Sequence, residues 1–449
     1  MSEDRTIVIV LAAGLGTRMG AKLPKVLHPL AGRPMLSHLF ETLSTILPER
    51  TILVNGPDME EVNHLVSKHG LDPEIVIQKD RLGTGHALIT AKRELQGNDG
   101  TVLVVYGDTP LLTAGTMKAL ISARQTSPAP AVVVLGFKPD EAGDYGRLIL
   151  DNDGNLERIV EAREASSDQL NTSFCNSGVM AIDAKVLPAL LEQINNDNSK
   201  GEYYLTDIVK IAVSQGRLCS VIEGNEQELI GINSKIDLAE AESILQQRLR
   251  HAAMRDGTTL IDPSTVYFSW DTNLGSNVTV GPNVYFGPGV TIEDDVYIHS
   301  FSHLEGAKVA SGAVIGPFAR LRPGADIGSN ARIGNFVEVK NSAISDGVKA
   351  NHLSYIGDAK IGQNANLGAG TITCNYDGQK KLATEVGEEA FIGSNTALVA
   401  PVKIGKGAVI GAGSVITKDV EDEALAVTRS NQNVVPGWAK SRRRPAGDN

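Results

Sequence analysis

The first residues that could do chemistry follow an apolar run near the start of the chain. They read Leu11-Ala12-Ala13-Gly14-Leu15-Gly16-Thr17-Arg18-Met19, and Pro24-Lys25 comes shortly after. Glycines at this place let backbone N–H groups approach an anion at the start of a helix, and Arg18 and Lys25 add two cations. The segment therefore predicts a binding site for phosphate groups.

Three kinds of phosphate site compete for this segment. A Walker P-loop is excluded because no Gly-Lys-Ser or Gly-Lys-Thr follows. A dinucleotide site stays open, although the second apolar run ends in Val54-Asn55-Gly56 and offers no acid for a ribose. A nucleoside triphosphate held by its phosphates uses both cations, and we favour this interpretation.

Asp108 follows another apolar run, Val102 to Val105, after Tyr106-Gly107. A carboxylate at the end of a buried strand suits Mg²⁺, which prefers hard oxygen ligands and keeps several waters. The alternative is an acid that caps a helix or a turn. With Tyr106-Gly107 before it and the cation Lys25 elsewhere in the chain, we favour the metal.

A second group of polar residues recurs late in the chain. Arg322 and Lys340 are 18 residues apart, and His352 follows after 12 more. With Arg320, the two cations predict an anion site, and an imidazole suits the removal of a proton from an amine near neutral pH. Surface charge and a structural histidine are the alternatives for any one residue alone. Cys374 is a weaker candidate, as a nucleophile, because no base is evident beside it.

Two kinds of element must position these groups, and the composition changes near residue 257. Upstream, short apolar runs are separated by segments long enough for helices, which is typical of buried parallel strands in an α/β sheet. The runs are Ile7 to Leu11, Ile52 to Val54, Val102 to Val105 and Val132 to Leu135. We expect a Rossmann-like, mostly parallel α/β domain over 1–235, and helical spacing predicts a linker helix over 236–256.

Downstream, aliphatic or aromatic residues stand at every sixth position, and glycine often follows, as in Ile315-Gly316 and Ile333-Gly334. This period is typical of a triangular β-helix, in which each face is a short strand with its apolar residue inside. A disordered segment would not keep aliphatic residues in register over this distance. The pattern predicts a left-handed parallel β-helix of hexapeptide repeats over 257–430, with an excursion from Thr371 to Glu385.

Composition narrows the classes of function. The chain has 449 residues and a formal net charge of -11, which disfavours general nucleic-acid binding. Three widely spaced cysteines without a CxxC pair indicate neither a disulfide framework nor a zinc site, and they favour a reducing, cytoplasmic location. The apolar run at the start is too short to span a bilayer, so we expect no membrane segment and no signal peptide.

The last residues, 431–449, form a basic tail with Lys440, Arg442, Arg443 and Arg444. We expect a solvated or partner-clasping arm there, in preference to a nucleic-acid patch.

The glycine-rich segment through Lys25 resembles the signature of sugar-phosphate nucleotidyltransferases. Further motifs follow in that family's order: Gln78, Gly83-Thr84-Gly85-His86-Ala87, Tyr106-Gly107-Asp108, Tyr145-Gly146-Arg147, Ile159-Val160-Glu161, Asn176-Ser177-Gly178, Gly201 to Asp207 and Gly231-Ile232-Asn233. Together with the hexapeptide part, nearly the whole chain resembles the bifunctional bacterial enzymes that make UDP-N-acetylglucosamine from glucosamine-1-phosphate.

The resemblance implies a uridylyltransferase site in the first part, with UTP as co-substrate. Lys25 and Arg18 would act on the triphosphate, and Asp108 and Asn233 would be the protein ligands of Mg²⁺. The nucleotide and sugar would contact Leu11, Ala12, Ala13, Gly14, Lys25, Gln78, Gly83, Thr84, Tyr106, Gly107, Gly146, Glu161 and Asn176. The family has a lysine where this chain has Arg163, which keeps the charge but changes its geometry. The motifs alone do not separate uracil from thymine.

In the second part the resemblance implies an N-acetyltransferase. His352 would be the general base for a direct attack on the thioester of acetyl-CoA, and Glu338 would polarise it. The sugar phosphate would contact Arg322, Lys340, Tyr355 and Asn366, and acetyl-CoA would contact Ala369, Asn375, Tyr376, Ser394, Ala412 and Arg429. Because stacked coils expose flat faces, we expect a neighbouring prism to complete the site in a homotrimer.

The sequence thus predicts a bifunctional enzyme of small-molecule substrates. It would acetylate glucosamine-1-phosphate and then join N-acetylglucosamine-1-phosphate to UMP from UTP, with release of pyrophosphate, for cell-wall peptidoglycan and lipopolysaccharide. One rival is a monofunctional sugar nucleotidyltransferase whose β-helix is structural or oligomerising. Another is a non-catalytic assembly subunit, which would not need to retain Lys25, Asp108 and His352.

Overall fold

A computed structural model describes residues 5–14 and 16–442 of the chain. The chain divides into two compact units between Gln246 and Gln247. The division lies inside a long helix, Lys235–Arg255, in the stretch where helical spacing predicts one. Each unit is described below by itself.

The first unit is built on a central sheet. Its strands are β1 Thr6–Leu11, β2 Pro29–Leu30, β3 Arg33–Pro34, β4 Arg50–Asn55, β5 Glu74–Ile77, β6 Thr101–Tyr106, β7 Val132–Phe137, β8 Arg147–Leu150, β9 Leu156–Val160, β10 Cys175–Asp183 and β11 Cys219–Glu223. The central sheet has the order β11-β7-β10-β6-β1-β4-β5, and β8 and β9 extend from β10. All pairs along this order are parallel except those of β10, so the expected mostly parallel sheet is confirmed.

Helices cover both sides of this sheet. They are α1 Met35–Ile46, α2 Glu60–Val66, α3 Thr84–Thr90, α4 Lys92–Leu95, α5 Ala114–Gln125, α6 Ser167–Leu170, α7 Leu187–Leu191, α8 Asp207–Ser214 and α9 Lys235–Arg255, with short 3₁₀ turns at Thr17–Met19, Lys25–Leu27 and Glu226–Glu228. Along β1, Ile7 and Ile9 pack into one apolar cluster while Val8 and Val10 pack into another. A strand buried on both faces needs a continuous apolar run, which is the pattern of the sequence there.

The second unit is a prism of stacked coils with three faces among the described residues. Face 1 consists of Thr259–Leu260, Thr279–Val280, Tyr297–Ile298, Val314–Ile315, Arg332–Asn335, Lys349–His352, Asn366–Leu367, Phe391–Ile392, Val409–Ile410 and Leu425–Ala426. Face 2 consists of Tyr285–Phe286, His303–Leu304, Arg320–Leu321, Glu338–Lys340, Tyr355–Gly357, Ile372–Cys374, Ala397–Val399 and Val415–Ile416. Face 3 consists of Asn273–Leu274, Thr291–Ile292, Ala307–Val309, Ala325–Ile327, Ser342–Ile344, Ala359–Ile361, Thr384–Val386 and Val402–Ile404.

The six-residue period sets this architecture. The chain visits the faces in turn, and each strand pairs in parallel with the strand one coil away. The periodic residues, such as Val280, Phe286 and Ile292, are buried and form one continuous core. The predicted left-handed β-helix of hexapeptide repeats is confirmed. A 3₁₀ turn at Pro263–Thr265 follows the first strand of face 1, and a short helix, α10 Trp438–Ser441, follows the last coil.

The excursion from the prism is shorter than the predicted span from Thr371 to Glu385. Ile372–Cys374 forms a strand of face 2, and Thr384–Val386 forms a strand of face 3, so the chain leaves the coils only over 375–383. The prediction was too wide because the inward residue of the first strand is Thr373, which is buried but not aliphatic. Its hydroxyl donates a hydrogen bond to the carbonyl of Gly357 at 3.1 Å, which satisfies it inside the prism.

Candidate functional site

In the first unit, the glycine-rich segment lies at the carboxyl ends of the parallel strands. The backbone N–H of Ala12 donates to the carbonyl of Val54 at 2.8 Å, and that of Gly107 donates to the carbonyl of Leu11 at 2.9 Å. These bonds fix the segment between the ends of β4 and β6. Ligands of open α/β sheets bind outside the carboxyl ends of the strands, so the segment stands where a ligand is expected.

A cavity of about 450 Å³ opens at this edge. Most of the residues predicted for the nucleotide and sugar line it: Leu11, Ala12, Ala13, Gly14, Lys25, Gln78, Gly83, Thr84, Tyr106, Asp108, Glu161 and Asn176. Arg18, Arg163 and Asn233 line an adjoining hollow, which shares Glu161 with the cavity. Gly107 packs under the segment against Ala12, and the carbonyl of Gly146 accepts from the N–H of Asn176 at 2.8 Å.

Lys25 lines the cavity and contacts both of the predicted metal ligands. It is buried, and its ammonium donates hydrogen bonds to a carboxylate oxygen of Asp108 and, at 2.8 Å, to Oδ1 of Asn233. The two side chains predicted to bind Mg²⁺ therefore converge on one point, although they are 125 residues apart in the chain. No group of three or more His, Cys, Asp or Glu side chains among the described residues could hold a metal.

Glu161 lines both the cavity and the adjoining hollow. Its carboxylate accepts a hydrogen bond from the hydroxyl of Thr206 at 3.1 Å. Burial raises the pKa of the Glu161 carboxyl, and the bond from Thr206 only partly offsets this effect. Tyr106 is half-buried in the lining of the same cavity, and burial raises the pKa of the Tyr106 phenol as well.

Arg81 lines the same cavity and was missed in the sequence. Its Nε donates a hydrogen bond to the carbonyl of Ala13 at 2.6 Å, and its guanidinium lies so close to Gly56 that a Cβ there would stand 2.3 Å from Nη2. Arg81 thus ties the glycine-rich segment to the end of β4. Lys200, Tyr204 and Thr206 also line the cavity. The last two belong to a quoted motif, whereas nothing in the sequence singles out Arg81.

In the second unit, the predicted cations lie on face 2 and carry acidic partners. Nη1 of Arg322 donates to Oε1 of Glu338 at 2.7 Å, and Arg320 lies 3.9 Å from the other oxygen of the same carboxylate. This hydrogen bond raises the pKa of the Arg322 guanidinium. Glu338 was expected to polarise His352, but its carboxylate is turned to the arginines.

The side chain that meets His352 is Asn335, one coil away on face 1. Nδ1 of His352 lies 2.7 Å from Oδ1 of Asn335, and the two residues are register partners. With the amide oxygen as acceptor, Nδ1 carries the proton and Nε2 keeps its lone pair. Because the imidazole is exposed, a substrate can reach that lone pair. Asn335 was missed in the sequence because a single polar residue at the end of a short strand belongs to no motif or repeat.

The excursion brings a further cation to face 2. The ammonium of Lys381 lies beside that of Lys340, and this proximity lowers the pKa of Lys340. Between them, Asp358 accepts hydrogen bonds from Asn341, at 2.6 Å, and from Asn375. Although burial opposes it, these bonds lower the pKa of the Asp358 carboxyl. Two adjacent ammonium groups favour a multiply charged anion in front of them.

Tyr355 and Asn375 join the excursion to the coils. Nδ2 of Asn375 lies 3.4 Å from the hydroxyl of Tyr355, and Tyr355 is the register partner of Glu338. Tyr376 is exposed on the excursion itself. Asn366 lies on face 1, paired with Lys349 and Phe391, and hence one coil beyond the strand that carries His352.

A column of small side chains begins beside His352. The pairs Ala350 with Leu367, Leu367 with Ile392 and Ile392 with Ile410 fix the register of face 1. Two positions after each of these residues the chain carries His352, Ala369, Ser394 and Ala412 in successive coils. At the end of the column, Nη1 of Arg429 donates to the carbonyl of Ala412 at 2.7 Å. The column therefore runs in register from an imidazole to a guanidinium.

The basic tail is described as far as Arg442. Arg443 and Arg444 lie outside the described residues, while Arg442 stands 4.8 Å over the ring of Trp438. None of the helices described here is long and apolar enough to cross a bilayer.

Known proteins resemble both units. A model of the MobA-like NTP transferase domain matches residues 8–150, and the model of the bacterial transferase hexapeptide (six repeats) matches residues 271–306, 306–341 and 383–418. The Bifunctional protein GlmU of Paramagnetospirillum magneticum is 57% identical over 440 residues, which are 98% of this chain and 97% of that protein. The Bifunctional protein GlmU of Rhodospirillum rubrum is 58% identical over 435 residues, 97% of this chain and 96% of that protein.

Proposed function

The chain belongs to the family of bifunctional GlmU proteins, and on that premise we propose how its two units divide the work. It is a transferase with a uridylyltransferase activity and a glucosamine-1-phosphate acetyltransferase activity. The second unit acetylates the amine of glucosamine-1-phosphate, with acetyl-CoA as donor. The first unit then transfers UMP from UTP to the phosphate of the product. Pyrophosphate leaves, and UDP-N-acetylglucosamine forms.

For uridylyl transfer, the sugar phosphate attacks the α-phosphorus of UTP in line with the departing pyrophosphate. Backbone N–H groups of the glycine-rich segment, together with Lys25, stabilise the anionic oxygens as charge moves toward the leaving group. Glu161 and Asn176 hold the sugar at the other end of the cavity. Arg18 lines the adjoining hollow, from which it reaches the outer phosphates.

Asp108 and Asn233 are proposed to bind Mg²⁺. Their oxygens fit its preference for hard ligands, and a single carboxylate with one amide leaves most coordination positions to water and to the nucleotide. When bound, the ion would neutralise charge on the phosphate oxygens. Support comes from the convergence of both side chains on the ammonium of Lys25.

For acetyl transfer, Nε2 of His352 takes a proton from the substrate amine as the nitrogen attacks the thioester carbon of acetyl-CoA. The C–S bond then breaks, and coenzyme A leaves without an acyl-enzyme. Asn335 accepts the hydrogen bond of Nδ1–H and so orients the ring with the lone pair of the neutral imidazole on Nε2. Arg322, Lys340 and Lys381 bind the phosphate, Tyr355 and Asn366 orient the sugar, and Asn375 contacts the coenzyme.

The column of small side chains on face 1 is proposed to bind acetyl-CoA. An elongated ligand can lie along Ala369, Ser394 and Ala412 because their side chains are short, and its thioester would then meet His352. Tyr376 and Arg429 would hold the polar ends of the coenzyme.

A homotrimer with acetyltransferase sites at the subunit interfaces completes the proposal. Support comes from an exposed aromatic ladder at the corner between face 1 and face 2. Phe301, Phe318 and Phe336 stack with ring centroids 4.9 and 5.1 Å apart, and they are 52%, 46% and 54% exposed. All three have positive φ, a conformation that is unfavourable for a bulky residue. The ladder ends at Leu353, next to His352, so a second copy packed on it would lie against the site.

The observation that carries two activities on one chain is that the second unit holds its own imidazole, amide partner and cations. A β-helix that only assembles the protein has no need for His352 at the head of the column of small side chains. We place the protein in the cytoplasm, where thiols such as those of its three cysteines stay reduced.

The test is incubation of the protein with glucosamine-1-phosphate, acetyl-CoA, UTP and Mg²⁺, followed by mass analysis. Without UTP, N-acetylglucosamine-1-phosphate should accumulate, and without acetyl-CoA no sugar nucleotide should form from glucosamine-1-phosphate. With N-acetylglucosamine-1-phosphate supplied, the acetyl donor should become dispensable. Failure to release coenzyme A would leave only the monofunctional alternative, and parallel reactions with dTTP would decide the base.

A further inference from the structure

Lys25 stands where the proposed metal ligands meet. Its ammonium is hydrogen-bonded to a carboxylate oxygen of Asp108 and to Oδ1 of Asn233, which are the oxygens that the proposed function assigns to Mg²⁺. Lys25 and Asp108 are both largely enclosed, with 10% and 21% of their side-chain surface exposed. A pair so little solvated interacts more strongly than an exposed one.

We propose that the Lys25 ammonium is an internal occupant of the metal site, which a divalent cation must displace. The inference rests on the proposed function, because it takes the two metal ligands from it. In the absence of nucleotide, Lys25 neutralises Asp108 and holds Asn233 in place. When metal and nucleotide enter, the ammonium leaves these oxygens and turns to the phosphates.

The ammonium and the metal exclude each other for reasons of distance and charge. Mg²⁺ binds oxygen at about 2.1 Å, whereas the nitrogen of Lys25 already lies 2.8 Å from the Asn233 oxygen. Both cations cannot sit within contact of the same two oxygens without strong repulsion. The site therefore has two exclusive occupants.

The geometry leaves the lysine a second position. At Gly16, where φ is +64°, an added Cβ would lie 2.5 Å from Cβ of Lys25, so the missing side chain of this glycine leaves room for the start of the lysine side chain. The rest of the side chain lines the cavity with Gly14 and Thr84. Rotation about the outer bonds moves the ammonium from Asp108 into the cavity while the backbone stays in place. Metal and triphosphate each favour the same displaced lysine, so each should strengthen the binding of the other.

The experiment is a titration of the full-length, nucleotide-free protein with Mn²⁺, followed by electron paramagnetic resonance of the free ion. In Lys25→Met, which keeps the length of the side chain, Mn²⁺ should bind about tenfold more tightly than in the wild type, because the competing charge is gone. Lys200→Met is the matched control, since it removes another cation from the lining of the same cavity. Its affinity should change by less than about twofold. Adding Asp108→Asn to Lys25→Met should abolish the gain.

Equal affinity in the wild type and Lys25→Met, or an equal gain in Lys200→Met, would overturn the inference. Lys25→Met leaves the Asp108 carboxylate without its cationic partner, and this could prevent folding. Lysine labelling of the wild-type protein therefore provides a second measurement. Under brief acylation with an amine-reactive ester and peptide mapping, Mn²⁺ should increase the labelling of Lys25 and not that of Lys200. Unchanged labelling with Mn²⁺ bound would also overturn it. Uridylyl transfer without any divalent ion would instead refute the metal site of the proposed function.

Discussion

At the scale of single residues, the hydrogen bond between Asn335 and His352 decides which ring nitrogen can act as a base. The amide oxygen accepts a hydrogen bond from Nδ1–H without carrying charge, so in the neutral ring it favours the tautomer whose lone pair is on Nε2. A carboxylate in the same place would stabilise the protonated ring.

Asn335→Asp should therefore move the acid limb of the pH profile of kcat/KM for acetyl transfer to higher pH. The added charge favours the imidazolium, and more alkaline conditions are then needed to free Nε2. Measurement of coenzyme A release over pH checks this shift. Asn330→Asp adds the same charge at an exposed corner of the same face and should leave the profile in place. If the acid limb of the kcat/KM profile is the same in Asn335→Asp as in the wild type, the contact between residue 335 and His352 does not affect the basicity of the imidazole.

Glu161, which is proposed to bind the sugar, lowers the stability of the folded protein when its buried carboxyl is ionised. Because burial raises the pKa of its carboxyl, the ionised form is less favourable in the folded protein than in the unfolded chain. The cost is absent at pH values where the carboxyl is protonated in both states. It develops as pH rises past the carboxyl's ordinary pKa and is complete above its raised value in the folded protein.

Glu161→Gln should thus raise the melting temperature of the first unit at pH 8 but not at pH 4, while KM for N-acetylglucosamine-1-phosphate increases. Thermal unfolding at both pH values and uridylyl kinetics at pH 8 measure the two effects. Glu157→Gln, at an exposed position of the same strand, is the control and should change neither. A variant that is no more stable at pH 8 than the wild type contradicts the assignment of a buried charge.

At the scale of elements, glycines let neighbouring coils approach each other. A Cβ at Gly334 would lie 2.0 Å from the carbonyl oxygen of Asn351. Both residues belong to the strand pair that carries Asn335 and His352. Any side chain at this position must push the two strands apart.

Gly334→Ala should lower the free energy of unfolding of the second unit by about 1–3 kcal/mol, as overpacking does. It should also weaken acetyl transfer, because Asn335 moves away from His352, while uridylyl transfer is retained. Denaturant unfolding and the two assays check this. Gly115→Ala is the contrast, since only Thr113 Oγ1, at 3.7 Å, lies near the added atom. If Gly334→Ala unfolds like the wild type, the close approach of the coils is not what requires glycine.

Much of the architecture could be predicted because it depends on patterns that repeat. An apolar residue at every sixth position defines the prism, and apolar runs such as Ile7 to Leu11 define the buried strands. Single polar contacts follow no such pattern. The strand at Thr373 was missed because its inward residue is polar and forms a hydrogen bond inside the prism. The carboxylate of Glu338 contacts Arg322 instead of His352. Arg81 contacts the carbonyl of Ala13, which is 68 residues away in the chain.

At the scale of the whole molecule, the aromatic ladder is the feature that points beyond one chain. Bulky residues with positive φ and exposed rings are unfavourable in an isolated prism. Burial against neighbouring copies in the proposed homotrimer would offset both effects.

Phe318→Lys should therefore weaken the proposed homotrimer, as measured by light scattering on a sizing column, and lower acetyl transfer in proportion to the loss of trimer. Uridylyl transfer should persist, because its cavity lies within the first unit. Tyr267→Lys places the same charge at another exposed aromatic residue outside the ladder and serves as the control. A Phe318→Lys protein that remains trimeric rules out this corner as the contact.

The central claim is that one chain carries two independent catalytic sites, and complementation tests it most directly. His352→Ala should lose acetyl transfer by about 10²–10⁴-fold and keep uridylyl transfer, while Asp108→Ala should do the reverse. Given glucosamine-1-phosphate, acetyl-CoA, UTP and Mg²⁺, neither variant alone should make UDP-N-acetylglucosamine at the normal rate, and a mixture of the two should. Loss of both activities in either folded variant, or a mixture that stays inactive, would contradict the account.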